Sequence, residues 1–176
     1  MRTTTIDDIR TSLEAFFRAF NDRDPEAILT MCTEDVVWDD PYRPTPIVGW
    51  EAVADLLAAQ FTAFPDLHFP KEEIEIYRSL DGKKAAARWT MVATMNGRLD
   101  PPGYEPTGKT VDIRGMSRFE FGDGGRIAHY STVYDLMSLT QRLGLLPEPD
   151  SLPFKALVGL EQAEQLGRKF VHNLRH

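Results

Sequence analysis

A carboxylate at the end of a short apolar strand is the side chain of this sequence best suited to chemistry. Asp40 follows the apolar run Val36-Val37-Trp38 and directly precedes Pro41. A fixed carboxylate in an apolar pocket can abstract a proton next to a carbonyl group, and burial strengthens it as a base by raising its proton affinity. A second interpretation stays open, because an aspartate before a proline often bonds its own backbone in a turn.

Polar and aromatic residues on three later strands are expected to share a pocket with Asp40. Side chains alternate between the two faces of a strand, so residues two apart share a face. This groups Arg88 with Thr90 on one strand, Ser117 with Phe119 on the next, and Tyr130 with Thr132 and Tyr134 on the last. Together with Trp38, these side chains would line one cavity. We expect Arg88 to pair with Asp40 or to bind a ligand oxygen. A purely structural ion pair is the alternative for Arg88.

The elements that would position these residues are three helices followed by a run of antiparallel strands. Apolar spacing predicts helices over 5–21, 25–32 and 50–63, a strand over 36–38, further strands over 67–78, 84–95, 110–121 and 126–134, and a short helix over 136–143. This order indicates an α+β fold in which helices pack on one face of a strongly curved sheet. Residues 1–146 would form the domain, and residues 147–176 a linker and a C-terminal helix.

Composition limits the partners and the compartment. The chain has 176 residues, which fits one domain, and a net charge of -7 that disfavours nucleic acid. Cys32 is the single cysteine, so no internal disulfide is possible. The four histidines lack metal-ligand spacing, and no segment has the length of a membrane span. The N-terminus lacks the pattern of a signal peptide, so we expect a cytoplasmic protein without metal or membrane contact.

One strand face predicts self-association. Alternation along residues 84–95 groups five apolar side chains, which we expect on the outer face of the sheet: Ala87, Trp89, Met91, Ala93 and Met95. So apolar a face should be covered. In the fold implied by the resemblance given next, the common cover is a second copy of the same sheet, so that resemblance implies a homodimer formed through the outer sheet face.

Two segments carry a resemblance to known families. The run from Ala19 to Pro41 resembles the corresponding run of ketosteroid isomerases, and the segment from Gly125 to Gly144 resembles the closing strand and helix of SnoaL-like polyketide cyclases and limonene-epoxide hydrolases. The resemblance covers roughly residues 8 to 146. It implies the cone-shaped fold of nuclear transport factor 2, which hosts isomerases, cyclases, hydrolases and non-catalytic proteins. No cofactor is expected in this fold.

The isomerase resemblance implies that Asp40 is the proton-shuttling base. Phe16 stands where those enzymes place an oxyanion-hole tyrosine, and Ser117 where they place a protonated aspartate. Phenylalanine donates no hydrogen bond, and serine is a weaker donor than a carboxylic acid. Steroid isomerisation by the same set of groups is therefore not expected.

The sequence also differs from the cyclases and the epoxide hydrolases at their catalytic positions. Thr132 stands where SnoaL-like cyclases carry their aspartate base, and a hydroxyl is no general base at neutral pH. Arg88 matches the pocket arginine of the epoxide hydrolases, but Thr90 and Thr132 replace the two aspartates beside it. Epoxide hydrolysis is therefore not expected.

Three hypotheses remain for the chain. The first is an isomerase, cyclase or lyase acting on a small hydrophobic carbonyl or polyketide-like compound. The second is a non-catalytic ligand-binding homodimer, and the third is a structural dimer with a vestigial pocket. The predicted catalytic residues are Asp40, Arg88 and Ser117, and the predicted ligand-binding residues are Phe16, Trp38, Tyr42, Thr90, Phe119, Tyr130, Thr132 and Tyr134.

Overall fold

A computed structural model of the chain describes residues 6–147, 150–156 and 159. The helices are α1 (Ile6–Asp22), α2 (Pro25–Thr30), α3 (Trp50–Ala63) and α4 (Leu136–Arg142). The strands are β1 (Cys32–Asp39), β2 (Ile47–Val48), β3 (Glu75–Arg78), β4 (Lys84–Thr94), β5 (Thr110–Phe121) and β6 (Ile127–Tyr134). The α+β fold predicted from the sequence is confirmed.

The six strands form one curved sheet in the order β2-β1-β6-β5-β4-β3. Neighbouring strands are antiparallel except for β1 and β6, which run parallel. The parallel pair arises because β1 follows the first two helices and joins the sheet beside the last strand. This pairing brings the end of β1, and with it Asp40, next to the end of β6.

Helix α1 supplies the apolar layer on the inner face of the sheet. Ile9, Leu13, Phe16, Phe17 and Phe20 recur at helical spacing and are buried. The Phe16 ring lies at 5.3 Å from that of Phe119 and 5.6 Å from that of Tyr130, measured between centroids. Aromatic pairs at such distances stabilise a core beyond the area they bury. Phe16 thus belongs to the support behind the cavity described below.

The inner face of β4 is the face that the sequence analysis expected outside. Ala87, Trp89 and Ala93 are buried, while Arg88 and Lys84 point to the opposite, solvent-facing side. The apolar half of an alternating strand normally faces the core, and here the Phe69 ring packs on it, 5.3 Å from the Trp89 ring between centroids. The predicted outward position of these residues is therefore wrong. The homodimer stays a prediction without that argument.

Several element boundaries differ from the sequence prediction. The strand predicted over 36–38 starts earlier, at Cys32, because α2 ends at Thr30. Cys32 is buried, and burial raises the pKa of its thiol to about 12. The strand predicted over 67–78 is interrupted by a short 3-10 helix at Lys71–Glu73. The predicted C-terminal helix lies outside the described residues for most of its length.

Aspartate side chains cap the N-termini of two helices. Asp24 accepts a hydrogen bond from the Ala27 N–H at the start of α2, and Asp135 accepts one from the Ser138 N–H at the start of α4. Of the helices that the structure describes, none is long and apolar enough to cross a bilayer.

Gly115 lets the Trp89 ring lie flat against β5. A Cβ atom at this position would stand 2.3 Å from the indole and 2.8 Å from the Val133 carbonyl oxygen. We expect Gly115→Ala to lower the free energy of unfolding by about 1–3 kcal/mol, as overpacking does, measured by urea denaturation. In a Trp89→Leu background the same substitution should cost less, because the indole is gone. An equal loss in both backgrounds would contradict this role of Gly115.

Candidate active site

A cavity of about 100 Å³ lies between the inner face of the sheet, the end of α3 and α4. Its walls are mainly apolar and aromatic. The sheet contributes Trp38, Trp89, Met91 and Ile113, the segment after α3 contributes Phe64, Leu67 and Phe69, and the loop after β4 contributes Leu99 and Tyr104. Leu136 and Leu139 of α4 line it from the other side, with Leu143 and Leu145 of the segment after this helix.

Asp40 is the charged side chain among the described residues that line this cavity. It is 9% exposed and follows the last residue of β1. One carboxylate oxygen, Oδ1, accepts hydrogen bonds from the Tyr42 backbone N–H at 2.9 Å and from the Tyr134 hydroxyl at 2.7 Å. The turn role and the pocket role, which the sequence left as alternatives, are therefore combined in one side chain.

Burial dominates the protonation of Asp40. Desolvation raises the pKa of the carboxyl above its ordinary value, although hydrogen bonds from Tyr42, Tyr134 and Gln60 and the charge of Arg43 act to lower it. The ionised carboxylate therefore takes up a proton more readily than an exposed aspartate does. A carboxyl with a raised pKa suits proton transfer better than an exposed one does.

Tyr134 stays a hydrogen-bond donor under all ordinary conditions. Desolvation raises the pKa of its phenol, and the charge and hydrogen bond of Asp40 raise it further. Tyr134 and Asp40 are thus a buried pair of one acceptor and one donor. No arginine, lysine or histidine lines the cavity within the described part of the chain.

Ser117 holds three side chains of the cavity wall in place. Its Oγ accepts a hydrogen bond from Trp89 Nε1 at 2.9 Å and lies 3.0 Å from the Tyr130 hydroxyl and 3.2 Å from Thr132 Oγ1. Ser117 is fully buried and lies behind the cavity rather than in its lining. The predicted catalytic contact of Ser117 with a ligand is therefore not what the geometry offers, because its hydroxyl is already engaged.

The structure brings together six of the residues predicted from the sequence: Trp38, Asp40, Tyr42, Tyr130, Thr132 and Tyr134 all line the cavity. Phe16 and Phe119, predicted to contact ligand, pack in the layer behind it.

Arg88 and Thr90 do not reach the cavity, contrary to the prediction. Arg88 Nη1 bonds Glu75 Oε1 at 2.8 Å on the solvent-facing side, where both side chains are about half exposed. Thr90 has the same strand parity as Arg88 and is absent from the cavity lining. The alternative interpretation of Arg88, a structural ion pair, is the correct one. Exposed pairs of this kind add little stability.

Gln60 is the polar cavity residue that the sequence analysis missed. It lies seven residues after the buried Val53 of α3, and therefore on the same helix face as Val53, Leu56 and Leu57. A polar residue on an otherwise apolar helix face was a signal available in the sequence. Within the described residues, no group of three histidine, cysteine or carboxylate side chains is placed to hold a metal ion.

The raised pKa of Asp40 predicts how stability depends on pH. The contribution of the Asp40 carboxyl to the free energy of unfolding is complete below the pKa of an aspartate in the unfolded chain, about 3.9. This contribution is lost as pH rises through the higher pKa of the carboxyl in the folded state. We therefore expect Asp40→Asn to gain stability relative to the unmodified protein as pH rises from about 4 to about 8, measured by urea denaturation.

Asp66→Asn provides a control in which the change of relative stability with pH has the opposite sign. Burial acts to raise the pKa of Asp66, but hydrogen bonds from the Thr94 side chain and N–H lower it overall. This contribution is present above the unfolded pKa and is lost as pH falls, so Asp66→Asn should lose relative stability as pH rises from acid to neutral. A pH-independent difference for Asp40→Asn would contradict the burial of its charge.

Comparisons with known proteins place this geometry in a family. A family model for the SnoaL-like domain matches residues 13–130. A solved structure from Pseudomonas putida, assigned as a polyketide cyclase, is 21% identical, with a TM-score of 0.69 over 77% of this chain and 97% of that chain. AclR from Streptomyces galilaeus, assigned as a hydroxylase, is 24% identical, with a TM-score of 0.67 over 98% of this chain and 99% of that chain.

A third solved structure is SalBIII, an epoxide hydrolase/cyclase-like enzyme with a role in pyran ring formation in the polyether salinomycin. It is 21% identical, with a TM-score of 0.61 over 74% of this chain and 93% of that chain. Likenesses at these identities show a common fold. Among proteins with curated functions, none matches the sequence significantly. Since the family model spans well over half of its residues, the chain belongs to the SnoaL-like domain family.

Proposed function

We propose that this protein catalyses proton transfer on a small, uncharged, apolar carbonyl compound, with Asp40 as the base. The observation that carries the proposal is a buried carboxyl in an aromatic-lined cavity to which the described residues contribute no other charged side chain. Desolvation makes that carboxylate a stronger base than an exposed one. The reaction class is isomerase, cyclase or lyase, which agrees with membership of the SnoaL-like family.

The reaction begins when the Asp40 carboxylate takes a proton from the carbon next to the carbonyl. The C–H bond breaks, an O–H bond forms on Asp40, and the electron pair moves to the carbonyl oxygen, giving an enolate. In an isomerase, Asp40 then returns the proton to another carbon of a conjugated enolate. In a cyclase, the enolate carbon forms a C–C bond to a second carbonyl carbon of the same molecule, the π electron pair of that carbonyl moves to its oxygen, and this oxygen takes the proton from Asp40. Positioned general bases contribute about 10²–10⁴-fold to such rates.

The charge of the cavity supports an uncharged substrate. No cationic side chain lines it within the described residues, so a substrate carboxylate or phosphate there would face Asp40 without compensation. An apolar ring or chain would instead contact the two tryptophans and the leucines of the wall.

A non-catalytic binding protein is the second candidate function. Thr132 occupies the cavity position at which the resemblance implies the base of SnoaL-like cyclases. A protein that has kept the aromatic cavity without that base could hold an apolar ligand and leave it unchanged.

Exchange of substrate protons with D₂O separates the two candidates. We expect the protein to speed deuterium incorporation next to the carbonyl of small cyclic ketones, followed by proton NMR. Asp40→Asn should lower this rate by about 10²–10⁴-fold, because the base is lost, while ligand binding persists.

Asp39→Asn is the matched control for this experiment. Asp39 precedes Asp40 but bonds His129 Nε2 at 2.8 Å on the other face of the sheet. Its substitution removes the same charge outside the cavity and should leave exchange within about threefold of the unmodified rate. Exchange that survives Asp40→Asn would disprove the assignment of the base, and ligand binding without any exchange would favour the binding protein.

A further inference from the structure

Proton abstraction next to a carbonyl needs a hydrogen-bond donor for the negative oxygen that forms. The sequence offered three candidates for this role, and the geometry removes them. Arg88 lies on the solvent-facing side, Ser117 is behind the wall, and the Tyr130 hydroxyl is engaged with Ser117. The donor must therefore be another group of the cavity.

Among the hydroxyls that line the cavity in the described part of the chain, Tyr134 is the one recorded in a hydrogen bond with Asp40. The Tyr42 hydroxyl donates to the Pro101 carbonyl, and Thr132 bonds Ser117 and the Met116 carbonyl. The Tyr134 hydroxyl lines the cavity and donates to Asp40 Oδ1 at 2.7 Å. Its partner is thus the same carboxylate that takes up the substrate proton.

We infer that Tyr134 is a second catalytic residue, whose hydroxyl bonds Asp40 while Asp40 is a carboxylate and turns to the substrate oxygen once Asp40 is protonated. The inference rests on the proposed function. A hydrogen bond to an ionised oxygen is about twice as strong as one to a neutral oxygen. When the negative charge moves from Asp40 to the enolate oxygen, that oxygen becomes the stronger hydrogen-bond acceptor. The Tyr134 hydroxyl then donates to it and keeps its own proton.

The groups around Asp40 allow this exchange of partners. Gln60 of α3 and the Tyr42 N–H keep Asp40 hydrogen-bonded after Tyr134 leaves, and Arg43 adds a positive charge from the loop after β1. On β6, Tyr130 is the other ionisable group near Asp40. Register places Tyr134 opposite Gly115, against which the Trp89 ring packs, and the centroids of the Trp89 and Tyr134 rings are 6.4 Å apart.

A bound phenolate tests the inference without catalysis. The ionised form of 4-nitrophenol presents one negative oxygen on a single ring, as an enolate does, and its ionisation is visible by absorbance. Asp40→Asn mimics the protonated state of Asp40 because it is neutral and keeps the shape of the side chain. Affinity for the phenolate form would be measured in four proteins: unmodified, Asp40→Asn, Tyr134→Phe, and the double variant.

We expect Tyr134→Phe to change phenolate affinity by less than about threefold when Asp40 is present, and to lower it by at least about tenfold in the Asp40→Asn background, as loss of one charge-assisted hydrogen bond does. Tyr130→Phe is the matched control: it removes a hydroxyl from the same wall, and its effect should be the same in both backgrounds. Thermal unfolding of each variant checks that the fold is retained.

Equal effects of Tyr134→Phe in the two backgrounds would overturn the inference, because the hydroxyl would not be released by loss of the charge on Asp40. Failure of Asp40→Asn to bind the phenolate at all would overturn it as well. Deuterium exchange that survives Asp40→Asn would instead refute Asp40 as the base, whatever the binding cycle gives. The two failures are therefore distinguishable.

Discussion

Strands β4, β5 and β6 are paired so that Ala87, Ser117 and Thr132 stand side by side on the inner face of the sheet. Because side chains alternate along a strand, this one row sets the face of the residues around it, up to the irregularity of the β5–β6 pairing at Glu120 and Phe121. The inner face therefore also carries Trp89, Tyr130 and Tyr134. Arg88 lies on the outer, solvent-facing side. The hydrogen bonds of Ser117 to the adjacent strands then hold the wall of the cavity in one arrangement.

The same register sets the electrostatics of the site. Had Arg88 faced inwards, a guanidinium beside Asp40 would hold the carboxylate ionised and weaken it as a base. With Arg88 paired to Glu75 outside, the direct partners of Asp40 are neutral donors, and desolvation prevails in setting its pKa. A strand face that carries tryptophan and alanine instead of arginine therefore changes the chemistry available to a carboxylate on a different strand.

Much of the fold was predictable from local pattern, and the errors have a physical source. The apolar spacing of α1 and α3 and the length of β4 and β5 gave bounds close to those observed. The face of β4 was misjudged because the match of Arg88 to a family arginine outweighed the alternation of apolar residues in the same strand. That alternation was the stronger signal, since an apolar strand face is buried by the core in most sheets.

Parts of the site could not be predicted from local sequence pattern. The bond between Tyr134 and Asp40 joins residues 94 positions apart and depends on the parallel pairing of β1 with β6. Nothing in the sequence near either residue indicates that pairing. The loop that carries Leu99 and Tyr104 into the cavity wall likewise has no periodicity that would predict its path.

Two adjacent aspartates show why residue type alone does not assign a role here. Asp39 is the last residue of β1 and points to the solvent-facing side, where it bonds His129. Asp40 is one residue later, so its side chain enters the cavity and meets a tyrosine instead. Asp39 thus lies beside a histidine in partial contact with water, whereas Asp40 lies beside neutral donors in an apolar cavity, where desolvation raises the pKa of its carboxyl. The strand end therefore places two identical carboxyls in two different environments.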